Sequence, residues 1–389
     1  MRAVLSIHNF YQRPGGEDRV FHNEVALLEQ HGHVVTRYVD HNNRIAGNVL
    51  RTAANTVWSS RSFRGVDRML ESGRAEVAHF HNTFPLVSPS GYYAAKRRGL
   101  AVVQTLHNYR LLCANATLFR DGAVCEQCIE KHSQIPAMVH GCYRDSRPAT
   151  AATSAMLTVH RAAGTYQHMV DAYIALSEFA RRRFIQGGLP AERITVKPNF
   201  VAEDPGQGDG DGGYALFVGR LVEEKGVRVL AKAWGGLADI PLYVAGDGPL
   251  AGIEWPRNVT CLGNVSRERL FELMRGARVL VFPSMWYECA MTVLEAFACG
   301  LPVIASDIGP VPEVVKHGRT GLLFRAGDAE DLARQVRWAL DNEERLRPMR
   351  AAARAEYEEK YTAERGYQKL VGVYEFAIEN ARIRQREAS

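Results

Sequence analysis

From end to end the chain alternates short apolar runs with amphipathic stretches of helical period. Strands buried on both faces, joined by crossover helices, write that pattern, so it constrains the chain to parallel βαβ units. Runs near Ala3–Ile7, His33–Val39, Val77–Phe80, Ala101–Leu106, Ala172–Leu176 and Ile194–Lys197 read as strands of a first half. A second half offers Tyr214–Val218, Pro241–Val244, Val259–Leu262, Val279–Phe282, Val303–Ala305 and Gly321–Phe324. Helices are expected between them, for example over Glu17–Gln30, Glu223–Ala233, Arg267–Met274 and Ala329–Leu340. No repeat of solenoid period is present.

The 389 residues suit two or three domains at roughly 150 residues each. The expected division is a first domain over 1–201 with a cysteine-rich insertion at about 110–145, a linker over 202–213, and a second domain over 214–360. The linker AEDPGQGDGDGG has almost no large apolar group to bury. Residues 361–389 carry Tyr367, Leu370, Val371, Val373, Tyr374 and Ile378 at helical spacing and are expected to return to the first domain. Lysine plus arginine exceeds aspartate plus glutamate by 48 − 43 = 5, a mild basicity that fits phosphates or an anionic surface and does not argue for nucleic acid. The opening MRAVLSIHNF is too short in apolar residues for a signal peptide, and no run approaches the roughly 20 needed to span a bilayer. The expected location is the cytoplasm, with the seven cysteines reduced. Basic triplets at 96–98 and 181–183 would suit peripheral contact with the inner face of the membrane, or equally a solvated helix face.

Parallel sheets bind ligands beyond the carboxyl ends of their strands, and the residues there are unusual. The first strand leads through His8 and Asn9 to Gly15 and Gly16 ahead of a helix, where free amides favour an anion; a plain turn is the alternative. Later strands end in His81-Asn82, His107-Asn108 and Ser177-Glu178. In the second half, FVGRLVEEKGV places Gly219 and Arg220 just past a strand and Lys225 near a helix start, two cations suited to a diphosphate. PSMWYECAMTVLEAFACG places Glu288 in a loop and Glu295 about a turn into a helix, where a carboxylate can grip a ribose diol. Two glutamates there could instead only complement the helix dipole.

Together these elements resemble the retaining glycosyltransferases of family 4, most specifically over residues 214–325. The resemblance implies a GT-B fold, two Rossmann-like domains facing each other across a cleft. It implies that Arg220 and Lys225 bind the donor diphosphate, that Glu288 contacts the transferred sugar, and that Glu295 holds the ribose. Gly15 and Gly16 match the family's glycine loop, His107 its histidine near the reacting sugar, and Asn199 in KPNFV its Pro-Asn step. One departure stands out: six residues separate the two glutamates where the family pattern has seven. The reaction implied is transfer, with retention, from a UDP- or GDP-sugar to a saccharide or lipid-linked acceptor in surface polysaccharide or glycoconjugate synthesis. Fixed cations aimed at the leaving phosphate would serve without a catalytic metal or other cofactor. Competing readings are a nucleotide-sugar epimerase of the same fold and a sugar-nucleotide-binding protein without turnover. A phosphorylase would need a longer chain and a pyridoxal lysine.

Cys113, Cys125, Cys128 and Cys142 fall within one short segment, with Cys125 and Cys128 at chelating spacing. They suit a closed structural zinc site, with His132 and His140 as alternative ligands, or else four packed thiols.

Overall fold

The computed structural model describes residues 1–12, 15–45, 49–71, 73, 75–287 and 291–388. By its internal contacts the chain divides into two units. The first takes in Met1–Leu118, Glu126–Pro198 and Gly366–Ser389; the second takes in Phe119–Cys125 and Asn199–Arg365.

In chain order the strands begin with β1 (Ala3–Phe10), β2 (Val34–His41), β3 (Val77–Phe80) and β4 (Ala101–Leu106). A small antiparallel hairpin follows, β5 (Phe119–Arg120) and β6 (Ala123–Val124), which no periodicity announced. Then come β7 (Ala172–Ala175) and β8 (Ile194–Val196). The first unit's sheet is parallel throughout, in the order β2-β1-β3-β4-β7-β8. Its connection order reverses between β1 and β3, which makes a crevice at their carboxyl ends. β1 extends to Phe10, beyond the expected Ile7, because it pairs with β2 along its whole length. His8 and Asn9 are therefore buried strand residues rather than the start of a loop.

One face of this sheet packs Val4, Val77, Val103 and Ile174 against the last helix, Ala363–Ala388. That helix contributes Leu370, Val373, Tyr374, Ala377 and Ala381, a single apolar stripe at three- and four-residue steps. The chain's final turns thus complete the core of its first unit.

The second unit holds β9 (Ala215–Val218), β10 (Leu242–Ala245), β11 (Val259–Gly263), β12 (Val279–Phe282), β13 (Val303–Asp307) and β14 (Gly321–Arg325). They form a parallel sheet in the order β11-β10-β9-β12-β13-β14, a doubly wound Rossmann arrangement. Alternate residues go to opposite faces. Leu216, Leu280, Phe282 and Val303 meet the helices Arg267–Gly276 and Met291–Ala298. Phe217, Val279, Val281 and Ile304 meet Val227–Trp234 and Ala329–Asp341. With both faces covered, continuous apolar strands are what the sheet requires.

The segment 202–213, expected as a linker, is laid against the second unit. Gly208, Gly210 and Gly212 donate their amides to the carbonyls of Cys299, Arg275 and Gly276 at 3.0, 3.0 and 2.9 Å. A Cβ on Gly208 would lie 2.2 Å from the Arg275 carbonyl oxygen. The glycines that read as flexibility serve close backbone approach instead. Buried Arg350 clamps the same stretch through the carbonyls of Gly210, Ala277 and Arg278.

Candidate functional site

In the second unit the order of connection reverses between β9 and β12, so a ligand is expected past Val218 and Phe282. Gly219 leaves β9 there, its amide held by the Ala245 carbonyl at 3.0 Å. Arg220 follows with its side chain 62% exposed and 3.6 Å from Glu224. Lys225 ends a short 3-10 turn, Glu223–Lys225, and its ammonium lies 5.8 Å from the centre of the Phe282 ring. Both cations of the sequence motif therefore belong to the rim of one crevice. Gly226 explains the Lys-Gly step. Its φ is +71°, and a Cβ would sit 1.8 Å from the Pro283 carbonyl oxygen. Only glycine lets the Lys225 turn seat against the end of β12. Met285 then donates its amide to the Glu224 carbonyl at 2.8 Å, tying the following loop to the same turn.

Glu295 lies in the second turn of Met291–Ala298 and is 2% exposed. Its carboxylate stands 3.6 Å from the Arg267 guanidinium, which is itself one-third exposed. Arg267 went unremarked in the sequence because it comes from a different helix, Arg267–Gly276. Glu288, the other member of the pair, lies outside the described residues. Asn199 opens the second unit, buried, and its Oδ1 has no hydrogen-bond partner among the described residues.

In the first unit, Gly15 caps the helix Gly16–Gln30. Neither Gly15 nor Gly16 is required by packing, since a Cβ on either would meet nothing within 4 Å. The Gly15 amide already donates to Asp18 at 2.7 Å, so an anion at this loop would meet the Gly16 amide instead. Asp18 also bonds His8 Nε2 at 2.7 Å, fixing the loop to β1. His107 follows β4, half-buried, with its Nε2 facing His81 Nδ1 at 3.1 Å. Burial holds both imidazoles well below the ordinary histidine range, so both are neutral at pH 7.

With this geometry in hand, the sequence comparisons are specific. The model of the Glycosyltransferase Family 4 domain matches residues 14–204, and that of the Glycosyl transferases group 1 domain matches 203–356. The chain belongs to the group 1, family 4 glycosyltransferases. Among curated relatives, an uncharacterized glycosyltransferase of Methanocaldococcus jannaschii, MJ1178, is 29% identical over 212 residues, covering 53% of this chain and 59% of that protein. A D-inositol 3-phosphate glycosyltransferase of Mycobacterium sp. is 33% identical over 133 residues, 31% of this chain and 30% of that one. The chain thus matches less than two thirds of these relatives' length. Among solved structures, Anabaena Alr3699/HepE in complex with UDP and glucose superposes with a TM-score of 0.66 at 17% identity, covering 96% of this chain and 99% of that one. The fold is GT-B.

A further titratable group of this family 4 chain falls outside the motif residues. Glu17, just inside the first helix, accepts from Asn108 Nδ2 at 3.1 Å. Burial, with help from the Asp18 carboxylate, pushes its carboxyl up to about 7 from 4.5. The folded chain then holds this proton where the unfolded chain has lost it. Stability is therefore fullest below pH 4.5 and declines as pH rises towards 7. Glu17→Gln removes that decline and gains about 1–2 kcal/mol on the parent between pH 4.5 and 7, discounting for partial exposure. Urea unfolding of both proteins at the two pH values measures it, and an equal gap at both would refute it.

The basic triplets are engaged within the first unit. Lys96 pairs with Asp171, Arg97 and Arg98 with Asp67, Arg181 with Glu178, and Arg183 with Glu126. No described helix is long and apolar enough to cross a membrane. Of the cysteines, Cys128 packs with Ala114 and Ala137, and Cys142 lies against them. Among the described residues, the ligating atoms that converge within 4.8 Å belong to Glu24, His79 and His81, and not to the thiols.

Proposed function

We propose that the chain transfers a sugar, with retention of configuration, from a nucleoside-diphosphate sugar to a saccharide or lipid-linked saccharide acceptor. The observation that carries this reading is the convergence of Arg220 and Lys225 on the β9/β12 crevice, with buried Glu295 on the helix that follows β12. Cations there meet charge that grows on the leaving diphosphate, and Glu295 supplies a ribose acceptor. His107 is assigned to the sugar by its match to the family histidine alone. Glu288 is assigned to the transferred sugar by its place in the family motif alone. No step calls for a metal, because the cations and amides oppose the leaving-group charge. A bacterial cell-surface glycan, built at the inner face of the membrane, is the product class that suits the resemblance.

The test is a screen of UDP- and GDP-sugars with saccharide and lipid-linked acceptors, read by NMR of the product. The expected result is an acceptor glycoside with the donor's anomeric configuration. An epimerised free nucleotide sugar formed without acceptor would establish the epimerase instead. Binding with neither hydrolysis nor transfer would make the chain a sugar-nucleotide-binding protein.

Cys113, Cys125, Cys128 and Cys142 are proposed from their spacing to hold one structural zinc; since the thiols do not converge among the described residues, binding would have to draw them together. Elemental analysis of protein never exposed to chelator should find about one zinc per chain. A metal-free result would leave these residues as packing thiols.

A further inference from the structure

Beneath the first unit's crevice lies a buried polar group that the motif reading does not use. The helix Gly16–Gln30 turns Glu24 inward, and Lys197 follows β8; both side chains are 1% exposed. Lys197 Nζ donates to Glu24 Oε1 at 2.6 Å, an ion pair between residues 173 positions apart. Glu24 Oε2 has no hydrogen bond among the described residues. It stands 3.6 Å from His81 Nε2, which also has none, and 3.8 Å from His79 Nδ1. His79 is spoken for: its Nδ1 meets the Tyr374 hydroxyl at 2.9 Å and its Nε2 meets Thr105 Oγ1 at 2.8 Å. The remaining nitrogen of His81, Nδ1, faces His107 Nε2 at 3.1 Å. The two rings are near parallel, 18° apart.

Glu24, His79 and His81 converge closely enough to suggest a metal, but the site does not suit one. Lys197 already supplies the cation, and both nitrogens of His79 are engaged. What remains is a directional problem. A neutral imidazole has one N–H and one bare nitrogen, and the bond made by one decides the state of the other. Glu24, a carboxylate accepting from the Lys197 ammonium, offers His81 only lone pairs. A bare His81 Nε2 would set two lone pairs face to face inside a low dielectric, so this nitrogen carries the proton. Closing the gap from 3.6 Å to roughly 3.2 Å makes the bond. His81 Nδ1 is then bare and accepts from His107 Nε2–H. His107 is left with a bare Nδ1, which has no hydrogen-bond partner among the described residues.

We propose that Glu24 is a positioning residue which, through His81, fixes His107 as the Nε2–H tautomer, so that His107 presents an acceptor to a donor-sugar hydroxyl. His107 is thus neither a proton donor nor a cation towards the substrate. The catalytic role of His107 rests on the function proposed above; its tautomer does not.

The tautomer is read directly by long-range nitrogen–proton NMR of histidine-labelled protein, with His107→Gln assigning the signal. In the parent chain the expected state is a protonated Nε2 and a bare Nδ1; the opposite state overturns the proposal with no variant needed. Glu24→Gln, combined with Lys197→Met to keep the buried site neutral, turns an amide N–H₂ towards His81 and reverses each bond in the series. His107 should switch to the Nδ1–H form, and turnover should fall roughly tenfold, the loss of one hydrogen bond, with donor KM little changed. An unswitched His107 in the folded variant would overturn the relay. A switched His107 with unchanged turnover would uphold the relay and remove His107 from the reaction. Rescue in Glu24→Asp, which keeps the carboxylate, separates positioning from mere packing: it should retain the parent tautomer.

Discussion

Lys225→Ala and Arg220→Ala are each expected to lower turnover by roughly 10²–10³ while weakening nucleoside-diphosphate binding far less. The asymmetry follows from where charge develops. In the bound donor the diphosphate charge is already spread and solvated; as the anomeric bond breaks, a further charge gathers on the leaving oxygens. Cations fixed at that point oppose it most in the transition state, and losing one costs about 2.7–4 kcal/mol by analogy with an oxyanion donor. Lys225 is the better fixed of the two. The left-handed Gly226 seats its turn on the Pro283 carbonyl, and the Phe282 ring backs its ammonium. Arg220 is more exposed and is drawn towards Glu224, so its alanine variant should show the smaller loss and the greater salt dependence. Steady-state kinetics on both variants, with and without a magnesium chelator, decide the matter. Normal turnover in both, or complete dependence on magnesium, would place leaving-group stabilisation elsewhere.

Glu295→Ala is expected to weaken nucleoside-diphosphate binding by about 1.5–3 kcal/mol, the range for hydrogen bonds to a charged group. Glu295 is buried on the helix after β12, and Arg267 lies 3.6 Å away, poised to hold the carboxylate in one orientation. Arg267 is one-third exposed and can turn to water when its partner is removed, so the variant should fold. Arg267→Ala should then weaken the same ligand by a smaller amount, through a carboxylate left free to rotate. Calorimetry with the nucleoside diphosphate and with the free nucleoside separates the two effects. Affinity unchanged in folded Glu295→Ala would rule out the ribose role.

The central strands, such as β3, β4, β7 and β12, were legible because each is buried on both faces, and an unbroken apolar run is hard to read otherwise; the edge strands β2 and β11 are largely exposed. Their ends were legible too. Gly219, Arg220 and His107 fall just past strand termini, with Lys225 at the end of the turn beyond β9, where a residue with no packing duty shows itself against an apolar background. What stayed hidden depended on partners distant in sequence. Glu24 is an ordinary helical glutamate until Lys197 and His81 are brought beside it, and no local period predicts a pair 173 residues apart. Arg267 is hidden for the same reason. The glycine-rich stretch 202–213 misled in the opposite sense: the same composition serves a loose tether or a backbone pressed on its neighbours. Only the acceptor carbonyls of Arg275, Gly276 and Cys299 distinguish them. The hairpin β5-β6, two residues to a strand, is too short to carry any period.

The return of the last helix to the first unit has a consequence for how the molecule is made. A ribosome delivers the chain from its amino end, and domains commonly fold as they emerge. The first unit cannot finish in that way. Leu370, Val373 and Tyr374 close one face of its sheet, and the Tyr374 hydroxyl meets His79 deep within it. Until residues 370–381 are translated, that face waits uncovered while the whole second unit is synthesised and released. A truncation ahead of Leu370 would therefore injure the unit synthesised earlier, and the second unit would be spared.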